Sequence, residues 1–388
     1  MITREEIREL AQFQPEEDEA CALSFYFQPR TPQNKSHREE AILAKDLVRQ
    51  ALHEAEKNGK NTRARADLDR ILEIAGNLHG NQARAKAIFA CGARKFWREF
   101  DLPPQLPATR LFVNRRFQLQ PLAVLLGAQP AVCVALVDRQ RGRLFDLRLH
   151  ELKERDGLFR ALPRRRSDGY AGYDAGHTER RVANEAMHHY KAVADRLQEE
   201  QEKGVWEKLI IGCHDTNWPE FEPHLHPYVK QRLLGHFSAD VTTVKDEQIR
   251  DQADRILVES QDRRRHDLLQ ATLEHARSNG LGVTGLRRVL KSLELGEVQT
   301  LFIEENYTAR GVECRNCGHL DAHVVPFCPV CGQATRELED LCEALIPAAI
   351  RRDVELFYVK ANPDLDRVGN IAALLRFRAD QSKANFVA

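Results

Sequence analysis

The segment Cys314-Arg-Asn-Cys317-Gly-His-Leu-Asp-Ala-His-Val-Val-Pro-Phe-Cys328-Pro-Val-Cys331-Gly decides how the last third of this chain folds. It holds two Cys-x2-Cys pairs separated by ten residues. Each pair can present two thiolates to one ion, and two pairs complete a tetrahedral shell of four sulfurs, the usual ligand set of structural zinc. The segment therefore predicts a zinc ribbon over residues 312–334, with one structural Zn²⁺ bound by Cys314, Cys317, Cys328 and Cys331.

The residues around these cysteines support a turn in each pair. Gly318 and Gly332 each follow the second cysteine, where the chain must reverse and a positive φ is expected. Four protein ligands leave no open position on the ion, so the metal would be structural and not catalytic. Two disulfides or an iron–sulfur cluster are the alternatives for this spacing, and His319 or His323 could replace one cysteine.

Length and composition indicate a multidomain protein of the cytoplasm. A chain of 388 residues is too long for one hydrophobic core, so two or three domains are expected. Lys+Arg and Asp+Glu balance at 58 each, which argues against a protein that holds nucleic acid by bulk charge alone. The sequence shows no signal peptide and no apolar run of membrane-spanning length, so a membrane partner is not expected. Cysteines within apolar runs suit a reducing compartment.

Strand and helix signals alternate along the chain and predict an α/β fold with three domains. The expected boundaries are 1–128, 129–276 and 277–388. In the middle domain, a continuous apolar run over 131–138 predicts a buried strand, and apolar residues at helical spacing from Val182 to Leu197 predict a long helix. A loop over 160–178 is expected before that helix, Thr178 is equally well interpreted as the helix N-cap, and a further helix is expected over 223–234.

The order of sequence blocks near the C-terminus carries a family resemblance. Gly296-Glu-Val leads to Leu301-Phe-Ile-Glu-Glu, the cysteine segment follows, and Gly369-Asn-Ile-Ala-Ala-Leu-Leu-Arg-Phe comes last. In this order they resemble the third domain of the archaeal and eukaryotic class I release factors and of Pelota. The whole chain is more narrowly similar to the bacterial branch of that superfamily, which includes the ribosome hibernation factor Balon.

The resemblance implies a role for each domain. The first would be an α/β domain that reaches the decoding centre, and the middle one would be RNase H-like with a loop that enters the peptidyl-transferase centre. The third would have an L7Ae-like fold that docks a translational GTPase, such as elongation factor Tu. The ribosomal A site and its rRNA are then the expected partners, and no small-molecule substrate is expected.

The chain departs from the release factors at the motif that hydrolyses peptidyl-tRNA. Those proteins carry Gly-Gly-Gln just before the long helix, and its backbone amide helps to stabilise the oxyanion. Without a gap, Gly172-Tyr173-Asp174 stands there; with a three-residue shift, Ala175-Gly176-His177 does. Neither is Gly-Gly-Gln, so we expect an A-site factor that is not an enzyme and acts in hibernation. The alternatives are a divergent release or rescue factor and an RNA-binding protein that acts off the ribosome.

Two groups of residues are candidates for contact with the ribosome. The loop over 160–178 contains Arg164, Arg165 and Arg166, whose guanidiniums can pair with phosphates. The same loop supplies tyrosines that can stack on bases, and its candidate residues are Gly172, Tyr173, Gly176 and His177. In the first domain, Asn34, Lys35 and Ser36 stand where release factors have the Asn-Ile-Lys-Ser decoding motif, although Ser36 equally suits a helix N-cap.

Overall fold

A computed structural model describes residues 4–13, 22–28, 37–58, 62–77, 85–102, 109–122, 130–148, 151–159 and 175–379. The chain divides into two compact units: unit 1 comprises residues 1–127 and 267–388, and unit 2 comprises residues 128–266. Helices and strands are mixed in both units, so the predicted α/β class is confirmed. Among the described residues, no helix is both long and apolar enough to cross a membrane.

The first part of unit 1 is a four-stranded antiparallel sheet with two long helices on one face. Its strands, in spatial order β3-β2-β1-β4, are Ala22–Phe27 (β1), Ala85–Cys91 (β2), Phe96–Leu102 (β3) and Arg110–Asn114 (β4). The helices are Arg4–Gln12 (α1), His37–Asn58 (α2) and Thr62–Asn77 (α3). All of β1 is buried, because Val48 and Leu68 of the helices cover one face while Tyr26 packs into a second cluster on the other.

Unit 2 is a five-stranded mixed sheet between two helices. Its strands, in spatial order β7-β6-β5-β8-β9, are Val132–Val137 (β5), Arg141–Arg148 (β6), Glu151–Phe159 (β7), Lys208–Cys213 (β8) and Leu233–Phe237 (β9). Helix Ala175–Glu202 (α4) packs Val193 on one face, and the part of helix Asp246–Arg277 (α7) that belongs to this unit packs Ile249 on the other. Only β6 runs against the other strands. This order and direction agree with the RNase H-like fold that the resemblance implies.

The last part of unit 1 contains a mixed sheet with the cysteine segment inserted. The sheet order is β10-β16-β11-β15, with strands Gly282–Thr284 (β10), Val298–Glu304 (β11), Glu355–Val359 (β15) and Ile371–Leu375 (β16). Helices Leu286–Glu294 (α8) and Cys342–Arg351 (α9) belong to the same part. Between β11 and α9 lies a small antiparallel sheet of order β13-β12-β14, formed by Gly311–Cys314 (β12), Leu320–Asp321 (β13) and Thr335–Leu338 (β14).

The first and last parts of unit 1 contact each other. The Arg351 guanidinium donates to the Ala11 carbonyl over 2.6 Å, and the Asn114 amide donates to the Glu343 carboxylate over 3.0 Å. One hydrophobic cluster contains buried residues of both parts, among them Phe117 and Leu345. The two parts therefore share a core, while the predicted division into three domains at residues 128 and 276 stays a prediction.

The helix predicted over 223–234 is wrong. A single-turn helix, Trp218–Phe221 (α5), precedes this region, and only a 3-10 turn, Glu222–His224, and a second single-turn helix, Pro227–Lys230 (α6), overlap it. Pro227, the fifth residue of the predicted helix, lacks the N–H that would bond the Pro223 carbonyl. The following residues, Leu233–Phe237, pair in parallel with β8, so sheet pairing overrides their helical spacing.

Gly212 in β8 marks a close approach inside unit 2. A Cβ at this position would lie 2.3 Å from Cδ2 of Leu136 and 2.8 Å from Cζ of Phe237. We expect Gly212→Ala to destabilise unit 2 by about 1–3 kcal/mol, because an added methyl overpacks the core. Urea unfolding would measure this. The control is Gly157→Ala in β7, where a Cβ meets only the Gly142 carbonyl at 3.7 Å; equal losses in both variants would contradict the prediction.

Candidate metal centre

The small three-stranded sheet positions the four cysteines. Cys314 is the last residue of β12, and its N–H donates to the His319 carbonyl over 2.8 Å. On the other side, the Cys328 N–H donates to the Gln333 carbonyl over 2.8 Å. Each Cys-x2-Cys pair is thus a short reversal of the chain, closed by a backbone hydrogen bond, that turns two sulfurs inward.

The four sulfurs form one compact cluster. All lie within 4.8 Å of one another, with 3.3 Å between Cys314 and Cys331 and 3.6 Å between Cys317 and Cys328. A tetrahedron of sulfurs about 2.3 Å from a central ion has edges of about 3.8 Å, close to these separations. A disulfide would need about 2.05 Å, and all four cysteines are free. The cluster could hold one metal ion, and the predicted convergence of these four residues is confirmed.

Backbone amides point at the sulfurs in both pairs. The N–H groups of Asn316 and Cys317 each lie 3.4 Å from Sγ of Cys314, and the Val330 N–H lies 3.4 Å from Sγ of Cys328. These donors favour the thiolate over the thiol, because hydrogen bonds to a charged group stabilise that form. The cluster is therefore organised for deprotonated sulfur, the form that binds metals.

Both predicted turn glycines have the expected backbone conformation. Gly318 and Gly332 each have φ of +71°, a region that side-chain-bearing residues seldom adopt. Each glycine N–H donates to the carbonyl of the first cysteine of its pair, over 3.1 Å to Cys314 and 2.9 Å to Cys328. The glycines therefore let each reversal close tightly enough for its two sulfurs to converge.

Hydrogen bonding shifts the thiol pKa values in opposite directions. The backbone N–H of Gln333, helped by the Cys314 sulfur, lowers the pKa of Cys331 to about 6. The His319 N–H lowers the pKa of Cys317, but burial and the neighbouring thiols outweigh it and raise that pKa to about 12. In the absence of an ion, Cys331 is therefore a thiolate and Cys317 keeps its proton. Binding a metal ion would displace the remaining protons from the cluster.

The two nearby histidines have carboxylate partners. Nδ1 of His319 lies 3.0 Å from the Glu294 carboxylate, and Nδ1 of His323 lies 3.1 Å from that of Asp321. Among the described residues, the group close enough to share one ion contains the four cysteines and neither histidine. The geometry therefore favours the four-cysteine set over the alternatives with a histidine ligand.

A buried ion triad anchors the ribbon to the first part of unit 1. The carboxylate of Glu313, the residue before Cys314, accepts hydrogen bonds from the Arg116 guanidinium and, over 2.6 Å, from that of Arg336. The three side chains are 7–16% exposed. Sequence reasoning missed this triad, because Arg116 and Glu313 are 197 residues apart and no local pattern joins them.

Most of the predicted ribosome-contacting residues lie outside the described residues. This holds for Asn34, Lys35 and Ser36, for Arg164, Arg165 and Arg166, and for Gly172 and Tyr173. Helix α4 begins at Ala175, so the backbone of Gly176 and His177 lies in its first turn and not in the predicted loop. Thr178 is likewise inside the helix, so its prediction as N-cap is wrong. The helix starts earlier because Ala175 and Glu179 are compatible with helix and no proline interrupts them.

Comparisons with known proteins agree with the sequence resemblance. Residues 118–277 match the family model for bacterial archaeo-eukaryotic release factor family 10. Peptide chain release factor subunit 1 of Thermococcus onnurineus is 26% identical over 309 residues, covering 71% of this chain and 74% of that protein. These two findings support a place for the chain in the archaeo-eukaryotic release factor superfamily, and the predicted resemblance is confirmed.

Two solved structures are also similar. A crystal structure of the archaeal translation termination factor aRF1 covers 97% of this chain and 99% of its own, with 17% identity and a TM-score of 0.27. A model of ribosome-bound archaeal Pelota and ABCE1 contains a chain that covers 78% of this one and 80% of its own, with 16% identity and a TM-score of 0.39.

Proposed function

We propose that this protein is a ribosome-associated factor that occupies the A site without hydrolysing peptidyl-tRNA, and that it acts in ribosome hibernation. One observation carries the proposal: a chain of release-factor type has no Gly-Gly-Gln anywhere in its 388 residues. In release factors that motif supplies the amide that stabilises the developing oxyanion. A chain without it can keep the binding role of the family and lose the chemistry.

The position of α4 favours one register for the missing motif. With the three-residue shift, Ala175-Gly176-His177 would replace Gly-Gly-Gln, but these residues form the first turn of the helix. The ungapped register places Gly172-Tyr173-Asp174 before the helix, where the motif stands in release factors. This segment offers neither Gly-Gly nor Gln, which supports a binding factor over an enzyme.

Zinc is the metal that we infer for the four-cysteine cluster. Four thiolates near tetrahedral separations, with no open position, match a structural zinc site. An iron–sulfur cluster remains the competing occupant. Metal analysis together with an absorption spectrum separates them, because zinc thiolates are colourless and iron–sulfur clusters absorb visible light.

The inferred partners follow from the release-factor type. They are the A site of the ribosome with its rRNA, and a translational GTPase such as elongation factor Tu that would dock on the last part of unit 1. Action on ribosomes in turn places the protein in the cytoplasm. The segment before α4 has no glutamine, which supports occupancy of the A site over hydrolysis of peptidyl-tRNA. Binding assays with purified translational GTPases would identify the one that docks.

The test of the proposal is binding and release measured on the same ribosomes. We expect stoichiometric co-sedimentation with vacant bacterial ribosomes at ~0.15 M salt, where weak phosphate contacts are screened, and competition by an A-site tRNA. On ribosomes carrying peptidyl-tRNA, we expect no release above background while a release factor acts normally. Rapid release by this protein would favour the divergent release factor instead, and failure to pellet would contradict the ribosomal role.

The chain offers a matched pair of variants for the predicted RNA contact. Arg164-Arg165-Arg166 and Arg263-Arg264-Arg265 are both triple-arginine runs, the second in the middle of α7. We expect replacement of the first run by glutamines to weaken ribosome binding about tenfold or more and to lower its salt dependence, since phosphate contacts are lost. The same change in the second run, as control, should leave binding within about twofold. Equal effects would contradict a specific role for residues 164–166.

A further inference from the structure

Unit 2 contains a cavity of about 530 Å³ beyond the carboxyl ends of two parallel strands. Arg139 follows the end of β5, while Glu220 and His224 lie in the connection that follows β8. The chain continues from β5 to β6, toward one edge of the sheet, and from β8 to β9, toward the other edge. Such a reversal of strand order is where open α/β sheets bind ligands, so the cavity occupies the place at which the fold itself provides a crevice.

One wall of the cavity is apolar. It is formed by one face of α4, where Val182, Ala183 and Ala186 present small side chains and Met187 stands at the rim, 45% exposed. The Ala183 and Ala186 side chains are single methyl groups on adjacent turns, so a flat group can approach this part of the helix closely. This wall suits the face of a planar ring better than an extended aliphatic chain.

The opposite end of the cavity is polar but electrically balanced. Nε of Arg139 donates to the Glu220 carboxylate over 3.2 Å as part of a bidentate ion pair. Because the two charges cancel, the described residues at this end carry no net charge with which to hold a phosphate or a carboxylate. It still presents guanidinium N–H donors and carboxylate acceptors side by side, and the His224 ring lies beside them. An uncharged ligand with donors and acceptors along one edge would match it.

Tyr190 adds a hydroxyl to the same region. Its side chain is 1% exposed, and its ring lies 6.2 Å from that of His224. Burial raises the pKa of this phenol, and the nearby Glu220 carboxylate raises it further. The group is therefore a hydroxyl at neutral pH and can both donate and accept a hydrogen bond.

We propose that this cavity binds an unstacked purine base, with the ring against the Ala183–Ala186 face of α4 and its hydrogen-bonding edge toward Arg139 and Glu220. Arginine pairs with base acceptors and glutamate accepts from exocyclic amino groups, so the ion pair can address both types of group on one base. Unpaired bases in RNA are recognised in this manner, by stacking on one surface and hydrogen bonding along an edge. The base can belong to an RNA strand or to a free nucleoside, because the Arg139–Glu220 ion pair does not require a phosphate on the ligand.

The test uses the full-length protein with adenosine, guanosine, cytidine and a hexa-adenylate RNA as probes, and measures binding by ligand-observed NMR. We expect the purine nucleosides to bind and cytidine to bind at least about fivefold more weakly, since stacking grows with ring area. Stronger binding of the hexa-adenylate would identify an RNA strand as the source of the base, and binding of adenosine alone would identify a free nucleoside.

One pair of variants on α4 makes the site assignment decisive. Ala183 and Ala192 are both exposed on the same helix, but only Ala183 lines the cavity. Ala183→Leu fills the cavity and should weaken purine binding about tenfold or more by blocking the stacking surface, whereas Ala192→Leu should leave it unchanged. Purine binding that survives Ala183→Leu, or no binding of any probe at millimolar concentration, would overturn the proposal. Because free nucleosides are used, neither result depends on ribosome binding.

Discussion

If the four-cysteine cluster holds the inferred zinc, removing that zinc is expected to unfold the ribbon and to lower the stability of unit 1 more than any other single change. Structural zinc contributes about 10 kcal/mol or more of folding free energy, which is comparable to the entire stability of a domain. Cys328→Ser takes away one of four ligands and leaves three sulfurs that cannot complete the shell. We therefore expect the unit 1 unfolding transition to shift down by tens of degrees or to lose its cooperativity.

The effect should spread from the ribbon in a defined direction. Cys314 ends β12, and the preceding residue, Glu313, is bonded to Arg116 in the first part of unit 1. Disorder at Cys314 would therefore loosen that ion pair. Hydrogen exchange measured by mass spectrometry should show faster exchange first over 311–338 and then near Arg116. Unit 2 has its own cores, so the exchange of β5 and β8 should stay unchanged.

The control for this experiment is a cysteine outside the cluster. Cys342→Ser changes a buried cysteine of the same unit at the start of α9 and keeps all four candidate ligands. It should retain one metal ion per chain and cost only the desolvation of one hydroxyl, about 1–3 kcal/mol. If chelation leaves the unit 1 transition where it was, or if both cysteine variants behave alike, the cluster is not a structural metal centre.

The four-cysteine cluster could be predicted from sequence because all of its determinants are local. Two Cys-x2-Cys pairs and a glycine after each one encode both the ligand set and the reversals, and Gly318 and Gly332 have the φ that this requires. The buried strand Val132–Val137 could also be predicted from sequence, because a continuous apolar run is typical of a strand covered on both faces.

Long-range pairing explains what the sequence could not reveal. Strand Glu151–Phe159 is mostly charged and carries no clear alternation; it is a strand because it pairs with β6 at the edge of the sheet. The 223–234 region has helical spacing but contributes to β9 for the same reason. Likewise, the cavity in unit 2 joins Arg139, Ala183 and Glu220, which only the sheet topology brings together. Such features depend on register and strand order, which local residue patterns do not encode.

Glu313→Ala is expected to destabilise unit 1 by about 3–5 kcal/mol, because it leaves two arginines buried without their shared carboxylate. The Glu313 side chain is 7% exposed, and those of Arg116 and Arg336 are 10% and 16% exposed, so water can compensate only in part. The loss should appear as a lower midpoint in urea unfolding of unit 1. Metal content measured on the folded variant separates this loss from any damage to the neighbouring Cys314.

Two further variants decide whether the charge imbalance is the cause. Glu337→Ala removes an exposed carboxylate from β14, next to Arg336, and should change stability by less than about 0.5 kcal/mol. Replacing all three members of the triad together, as Arg116→Met, Glu313→Leu and Arg336→Met, should restore most of the stability, since apolar groups of similar volume often substitute for a buried ion group without loss. If the triple variant has a lower free energy of unfolding than Glu313→Ala, the attraction within the triad exceeds the cost of burying its charges, and the triad stabilises unit 1. In that case the ion group itself, and not the apolar core around it, joins the ribbon to the first part of unit 1.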